Sequence, residues 1–231
     1  MKMDRVLLVL VSVTIAMQAM LLYQQHSKQV QPASQEPDAI QDAPAGSSLD
    51  VSALPSKGKS AAKVVLIEFS DYECPFCARH ATTVEPELQK QFVDSGKIRY
   101  VFANNPLSFH PDAQLLATAA ICAGEQGSYW EMHDAIFAQQ LKSKPEVLAA
   151  AGTLKLDAPK FAQCLNSDHE AGQRIEQDAK EAEKLKLDGT PGFALGISDG
   201  SGHVHIKKLI SGAQPFDVFQ KAIQQVATEN F

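Results

Sequence analysis

One stretch constrains the fold of this chain more than any other: Val64-Val65-Leu66-Ile67-Glu68-Phe69-Ser70-Asp71-Tyr72-Glu73-Cys74-Pro75-Phe76-Cys77. It opens as a continuous apolar, β-branched run, which reads as a strand buried on both faces. The run breaks at Ser70-Asp71 and restarts as a helix with Pro75 at its first position, where a missing N–H costs nothing. Cys74 therefore stands at the helix N-terminus, and Cys77 lies one turn further along. A thiolate at Cys74 would face unpaired backbone N–H groups and the positive end of the helix dipole, and both lower its pKa. Such a placement suits a reactive dithiol.

A Cys-x-x-Cys pair is also half of a zinc site. A zinc ribbon needs a second close pair, and Cys122 and Cys164 are isolated singles with no paired histidines near them. No metal and no cofactor is expected. A purely structural Cys74–Cys77 disulfide would close so short a loop that it restricts the unfolded chain little. A net charge of −6 leaves no nucleic-acid footprint. With 231 residues and 45% hydrophobic composition, the chain can bury one sizeable domain and carry extra segments. Its four cysteines suit an oxidising compartment.

Those extra segments lie at the start. Lys2 and Arg5 precede an uncharged, mostly apolar run from Val6 to Leu22. A cleaved signal peptide and an uncleaved anchor compete here. The run is long for a signal core and just long enough to span a bilayer, and Met17-Gln18-Ala19 makes a poor cleavage site. An anchor over 1–23 is the favoured reading, with the N-terminus cytoplasmic by the positive-inside rule. Residues 24–60 are rich in Gln, Pro, Ser and Ala, and are expected to form a flexible linker.

After the dithiol, a helix is expected from Pro75 to about Ser95, kinked at Pro86 and ended at Gly96. Ile98-Arg99-Tyr100-Val101-Phe102 alternates like a strand with one polar face, so 61–103 forms a βαβ unit with a parallel pair. Residues 104–188 form a helical insertion that reads as helix throughout from about Phe109 to Leu187 and ends in a charged run, Gln173–Lys186, that should coat a solvated side. Over 189–231, Phe193–Ile197 and His205–Ile210 make an antiparallel pair. A last helix starts at Gln214-Pro215-Phe216, with Phe216, Phe219, Ile223 and Val226 on one stripe.

Cys74-Pro75-Phe76-Cys77 after a buried strand resembles the active site of the thioredoxin superfamily, and in particular its DsbA-like branch. The run from Ala120 to Asp134, AICAGEQGSYWEMHD, resembles the helical insertion of these proteins, and Gly189-Thr190-Pro191-Gly192-Phe193 resembles their cis-proline loop. The resemblance runs from about residue 61 to the C-terminus, with the motifs in the family's order. It implies an α/β thioredoxin fold with an inserted all-helical domain, here preceded by the anchor and linker. It also implies a thiol–disulfide oxidoreductase acting on cysteine-containing proteins, and a disulfide-forming oxidase is the preferred form. Cys74 would be the nucleophile, Cys77 its resolving partner, and Glu68 the buried acid beside them. Thr190-Pro191 would be cis and present its backbone to an extended substrate. The implied setting is the periplasmic face of a bacterial inner membrane. A membrane redox partner, either a quinone-linked oxidase or an electron-donating reductase, would recycle the dithiol. Isomerases of the superfamily dimerise through an added N-terminal domain, and 24–60 is too polar for one, so a monomer is expected.

Two departures bear on direction. Strongly oxidising relatives carry histidine where this chain has Phe76, which implies a less acidic Cys74 and a less oxidising couple. Thr190 stands where strong oxidases often have valine, and this keeps a reductase or isomerase open. A reading of another class, a non-catalytic peptide-binding module or chaperone, would use the groove near Pro191. Cys122 and Cys164 fall in two helices of the insertion. A structural disulfide closing a loop of about forty residues is expected there, against the alternative of a second redox pair. Trp130 and His133 read as core packing and a surface or capped histidine, His110 as a residue leading into a helix, and His80 as solvated.

Overall fold

The computed structural model describes residues 39–167 and 169–229, together with Met17, Gln18 and Met20. Apart from those three residues, the expected anchor lies outside the described residues. No described helix is long and apolar enough to cross a membrane.

Among the described residues, seven strands make one sheet: β1 (Ile40–Asp42), β2 (Ser48–Asp50), β3 (Ser56–Lys57), β4 (Val64–Ser70), β5 (Ile98–Asn104), β6 (Gly192–Ser198) and β7 (His203–Ser211). Their spatial order is β1-β7-β6-β4-β5-β3, and β2 also pairs with β7. Eight α-helices accompany them: α1 (Pro75–Thr83), α2 (Glu85–Leu88), α3 (Ala113–Gly124), α4 (Tyr129–Gln139), α5 (Lys144–Thr153), α6 (Ala158–Asn166), α7 (His169–Lys184) and α8 (Phe216–Thr228). β4 runs parallel to β5, as the βαβ pattern predicts, and antiparallel to β6, which in turn pairs antiparallel with β7 as the hairpin pattern predicts.

Every residue of β4 is buried. Strand alternation sends Val65, Ile67 and Phe69 to one face, where they pack with Ala182, Leu185 and Leu187 at the end of α7. Val64 and Leu66 go to the other, against Leu88, Phe92, Phe219 and Ile223 from the α2 side and α8. The sheet is thus the middle of three layers. A further core fills the helical insertion, and Tyr72, Cys74 and Cys77 belong to it. The dithiol therefore lies where the insertion meets the end of the central strand.

Several expectations need correction. The second half of the proposed linker is structured: β1 and β2 pair with β7, β3 pairs with β5, and Leu49 and Val51 are buried against the sheet. Sheet edges offer unpaired N–H and C=O groups, so even short polar segments can be held there by backbone hydrogen bonds. The helix after the dithiol is interrupted at Val84, with Pro86 near the start of α2, and it finishes as a π-helical turn over Gln89–Val93. β5 is buried on both faces apart from a half-buried Arg99: on the Arg99 side, read as polar, Val101 and Ala103 pack with Ala182, Leu185 and Leu187 in and just after α7, while α4 covers the Phe102 side.

Cys122 and Cys164 are bonded, joining α3 to α6 with a Cα–Cα distance of 5.7 Å and a separation of 42 residues. Loop closure of that length confers about 2–4 kcal/mol. A Cys122→Ala/Cys164→Ala double variant should lose that much unfolding free energy in urea. A loss below about 0.5 kcal/mol, the scatter of ordinary surface changes, would deny the bond a stabilising role.

Candidate active site

Cys74 occupies the N-cap of α1 in extended backbone conformation (φ −73°, ψ 123°), with Pro75 following it. Its N–H donates to Asp71 O at 3.1 Å, and its carbonyl accepts from Ala78 N–H at 3.1 Å. Cys77 lies one turn on, fully buried, and its Sγ receives the Asp71 N–H at 3.5 Å. Cys74 is nearly as enclosed, at 4% exposure, so the two sulfurs differ little in exposure. Both thiols are free.

The contrast lies in ionisation. The Cys77 thiol donates to Cys74 and is the largest influence holding its pKa down to about 5. The Thr190 side chain and the backbone N–H groups of Cys77 and Phe76 add to it, against burial. Burial pushes Cys77 far up, and the Cys74 thiolate and Glu68 push the same way. One sulfur is thus an anion at neutral pH and its neighbour a protonated donor.

The Thr190–Pro191 bond is cis, and Cys74 Sγ sits 3.4 Å from Thr190 O. Gly192 then opens β6, paired with Phe69 of β4, so the proline loop and the dithiol share one end of the sheet. A cavity of about 170 Å³ beside Cys74 is lined by Tyr72, Glu73, Pro75, Ile136, Phe137 and Leu141 among others. Phe76 is 55% exposed, with the Arg79 guanidinium 5.2 Å from its ring centre. A Phe76→His variant would place a donor and partial positive charge there. Its thiolate midpoint, followed by ultraviolet absorbance, should fall below that of the wild type, and an unchanged or higher one would remove the dipeptide from the account.

Glu68 points away from solvent entirely. The Tyr100 hydroxyl donates to its Oε2, and His80 Nε2 lies 3.3 Å from Tyr100 Oη and 4.0 Å from that same carboxylate oxygen. Burial, reinforced by the Glu85 carboxylate, raises Glu68 to about 8. Glu68 acts on Cys77 through space, and the buried Ser70 hydroxyl reaches toward both. His80 is not solvated as expected: it packs against Phe193 and Phe219, and burial lowers its pKa to about 4.

Other polar groups were not foreseen. Asp71, read only as a strand break, is buried and organises the turn into α1. Its Oδ1 accepts from Glu73 N–H at 2.8 Å. Its Oδ2 accepts from Leu107 N–H at 2.7 Å and lies 2.7 Å from His110 Nδ1. His133 is buried too, bridging Tyr72 Oη (3.1 Å) and Glu85 Oε2 (3.4 Å), while Lys57 holds the other Glu85 oxygen at 2.7 Å. A carboxylate just after the β4 run and a lone His-Pro pair were the only sequence traces of the Asp71–His110 contact. Neither implies the other. Among the described residues no cluster suited to a metal ion occurs.

The profile of the family described as Thioredoxin matches residues 52–224. The chain is 37% identical over 155 residues to Na(+)/H(+) antiporter NhaA 3 of Salinispora tropica, covering 66% of this chain and 23% of that one. It is 34% identical over 146 residues to the probable disulfide bond formation protein D of Bacillus anthracis, covering 59% and 66%. The chain thus spans under a quarter of the antiporter and just under two thirds of the Bacillus protein. Oxidised BdbD from Bacillus subtilis shares the fold, with a TM-score of 0.66 at 23% identity over 80% of this chain and 98% of that one.

Proposed function

The chain belongs to the thioredoxin family, and from that premise we propose that it is a thiol–disulfide oxidoreductase working through Cys74 and Cys77. The observation that carries the proposal is the split between the two sulfurs, one held as an anion at a helix start and the other kept protonated beneath it. A thiolate is the nucleophile and the better leaving group in disulfide exchange. The name of the Bacillus relative supports the same chemistry.

Disulfide formation is the direction we assign. Holding Cys74 as a thiolate stabilises the reduced pair, and a couple with a stabilised reduced form gives its disulfide away. A substrate thiolate attacks Cys74 Sγ of the oxidised pair, the Cys74–Cys77 bond breaks, and its electron pair leaves on Cys77 Sγ, which takes a proton. The substrate's second thiolate then attacks the substrate sulfur of the mixed disulfide, and the pair returns to Cys74 as thiolate. The substrate dithiol is oxidised and the Cys74–Cys77 pair reduced. Thr190 and Pro191 line the site where an extended segment can pair with the backbone. Glu68 would exchange the Cys77 proton.

The substrates on this reading are cysteine-containing proteins. A membrane redox partner, quinone-linked, would reoxidise the pair, and the chain would act as a monomer anchored at the extracytoplasmic face of a bacterial inner membrane. The Lys2 and Arg5 charges ahead of the Val6–Leu22 run support that orientation. Equilibrating the protein with glutathione tests the direction. A couple more oxidising than glutathione is expected; one more reducing would turn the assignment to a reductase. Absence of any exchange would leave the peptide-binding module.

A further inference from the structure

The dithiol helix offers Cys74 no cation of its own. Phe76 carries no charge, Arg79 is stacked on Phe76 and donates to Ala213 O at 3.1 Å, and His80 is buried on the far side with Tyr100. One imidazole nevertheless reaches the site from the loop between β5 and α3. His110 is tied through Nδ1 to Asp71 Oδ2 at 2.7 Å. Asp71 itself accepts the Cys74 N–H on its carbonyl and gives its own N–H to Cys77 Sγ. A single residue thus grips the imidazole and both cysteines.

We propose that His110, held on Asp71, is the cationic partner of the Cys74 thiolate, a positioning residue that stabilises the sulfur anion by its charge. The inference rests on the thiol-exchange reading and names the group that assists Cys74 when it departs as thiolate from the mixed disulfide. Asp71, Glu73 and Cys74 face the imidazole from the segment leading into α1, and all are negative when ionised. On the imidazole's own loop the charged residue is Asp112, whose N–H donates to Glu73 Oε2 at 2.9 Å. Burial opposes protonation of His110, but the Asp71 hydrogen bond and these surrounding charges outweigh it and raise its pKa. A cation whose counter-charges include the nucleophile must feel the nucleophile's redox state. By linkage, whatever the thiolate does to the imidazole, the imidazolium does to the thiolate.

The test is an NMR titration of the His110 imidazole in the full chain, once reduced and once with Cys74–Cys77 oxidised. A higher midpoint in the reduced form is expected; equal midpoints would overturn the proposal. In parallel, His110→Gln should slow iodoacetamide labelling of Cys74 at pH 4, below the thiol's pKa of about 5, by about tenfold, equivalent to one pKa unit, and His110→Lys should recover most of the rate. Labelling of His110→Gln at the wild-type rate would also overturn it. Neither readout depends on protein substrates. A wild type that is inert toward a reduced protein would defeat the functional reading and leave this result to stand or fall separately.

Discussion

A Cys77→Ser variant should accumulate as a covalent mixed disulfide with substrate proteins through Cys74, while Cys74→Ser should form none and lose disulfide exchange by more than about a thousandfold. The asymmetry follows from the two sulfurs. Cys74 is ionised at neutral pH, so a surviving Cys74 can attack a substrate disulfide, and without Cys77 nothing inside the protein resolves the product. Serine at 77 keeps a hydroxyl where the thiol donates, so the anion retains its nearest donor. Cys77 is in the opposite state, fully buried and driven far above the ordinary thiol range. Left alone it offers almost no thiolate and no path to a partner. Gel analysis after acid quenching and alkylation reads the trapped species. Trapping through Cys77, or exchange surviving in Cys74→Ser, would reverse the assignment of nucleophile.

How much of this site was legible beforehand depends on sequence distance. The strand–Cys–Pro–x–Cys succession is local. Burial of β4, the N-cap placement of Cys74 and the turn to Cys77 follow from residues that are neighbours in the chain. A helix dipole contributes about 0.3–1 kcal/mol, up to ~2 when partly buried, which is on the order of one pKa unit. A thiol brought to about 5 therefore needed hydrogen bonds, the Cys77 thiol above all, and Thr190, which also lowers it, lies 116 positions away. The Asp71–His110 contact joins residues 39 apart, and no spacing rule links an aspartate at a strand end to a histidine before a proline. His80 and His133 look like ordinary helix-face residues until Phe193, Phe219, Tyr72 and Glu85 close over them. The three strands inside the expected linker were hidden for another reason. Their stability comes from backbone pairing to an edge that composition cannot reveal, with Leu49 and Val51 as the main apolar anchors.

Replacing Glu68 by glutamine should stabilise the protein at pH 8.5 by about 3–5 kcal/mol relative to wild type and yield no such gain at pH 4. The carboxyl titrates near 4.5 when unfolded and at about 8 when folded, since burial and the Glu85 charge disfavour its anion. Below pH 4.5 both states carry the proton and Glu68 imposes no penalty. Between 4.5 and 8 the folded state binds more protons than the unfolded one, so stability falls as pH rises. Above 8 the full penalty applies, near 1.4 kcal/mol for each unit between the two values. Glutamine is neutral throughout and keeps an oxygen for the Tyr100 hydroxyl. Any fixed cost of its buried amide shifts the curve without tilting it. The measurement is therefore the slope of the wild-type-minus-variant unfolding free energy in urea between pH 4 and 8.5. A flat difference would mean that Glu68 ionises at its ordinary value and cannot hold a proton for Cys77 at neutral pH. A sloping one would place an acid beside the buried thiol that is still protonated where the Cys74 thiol is not, the arrangement needed to pass a proton to a departing Cys77 sulfur.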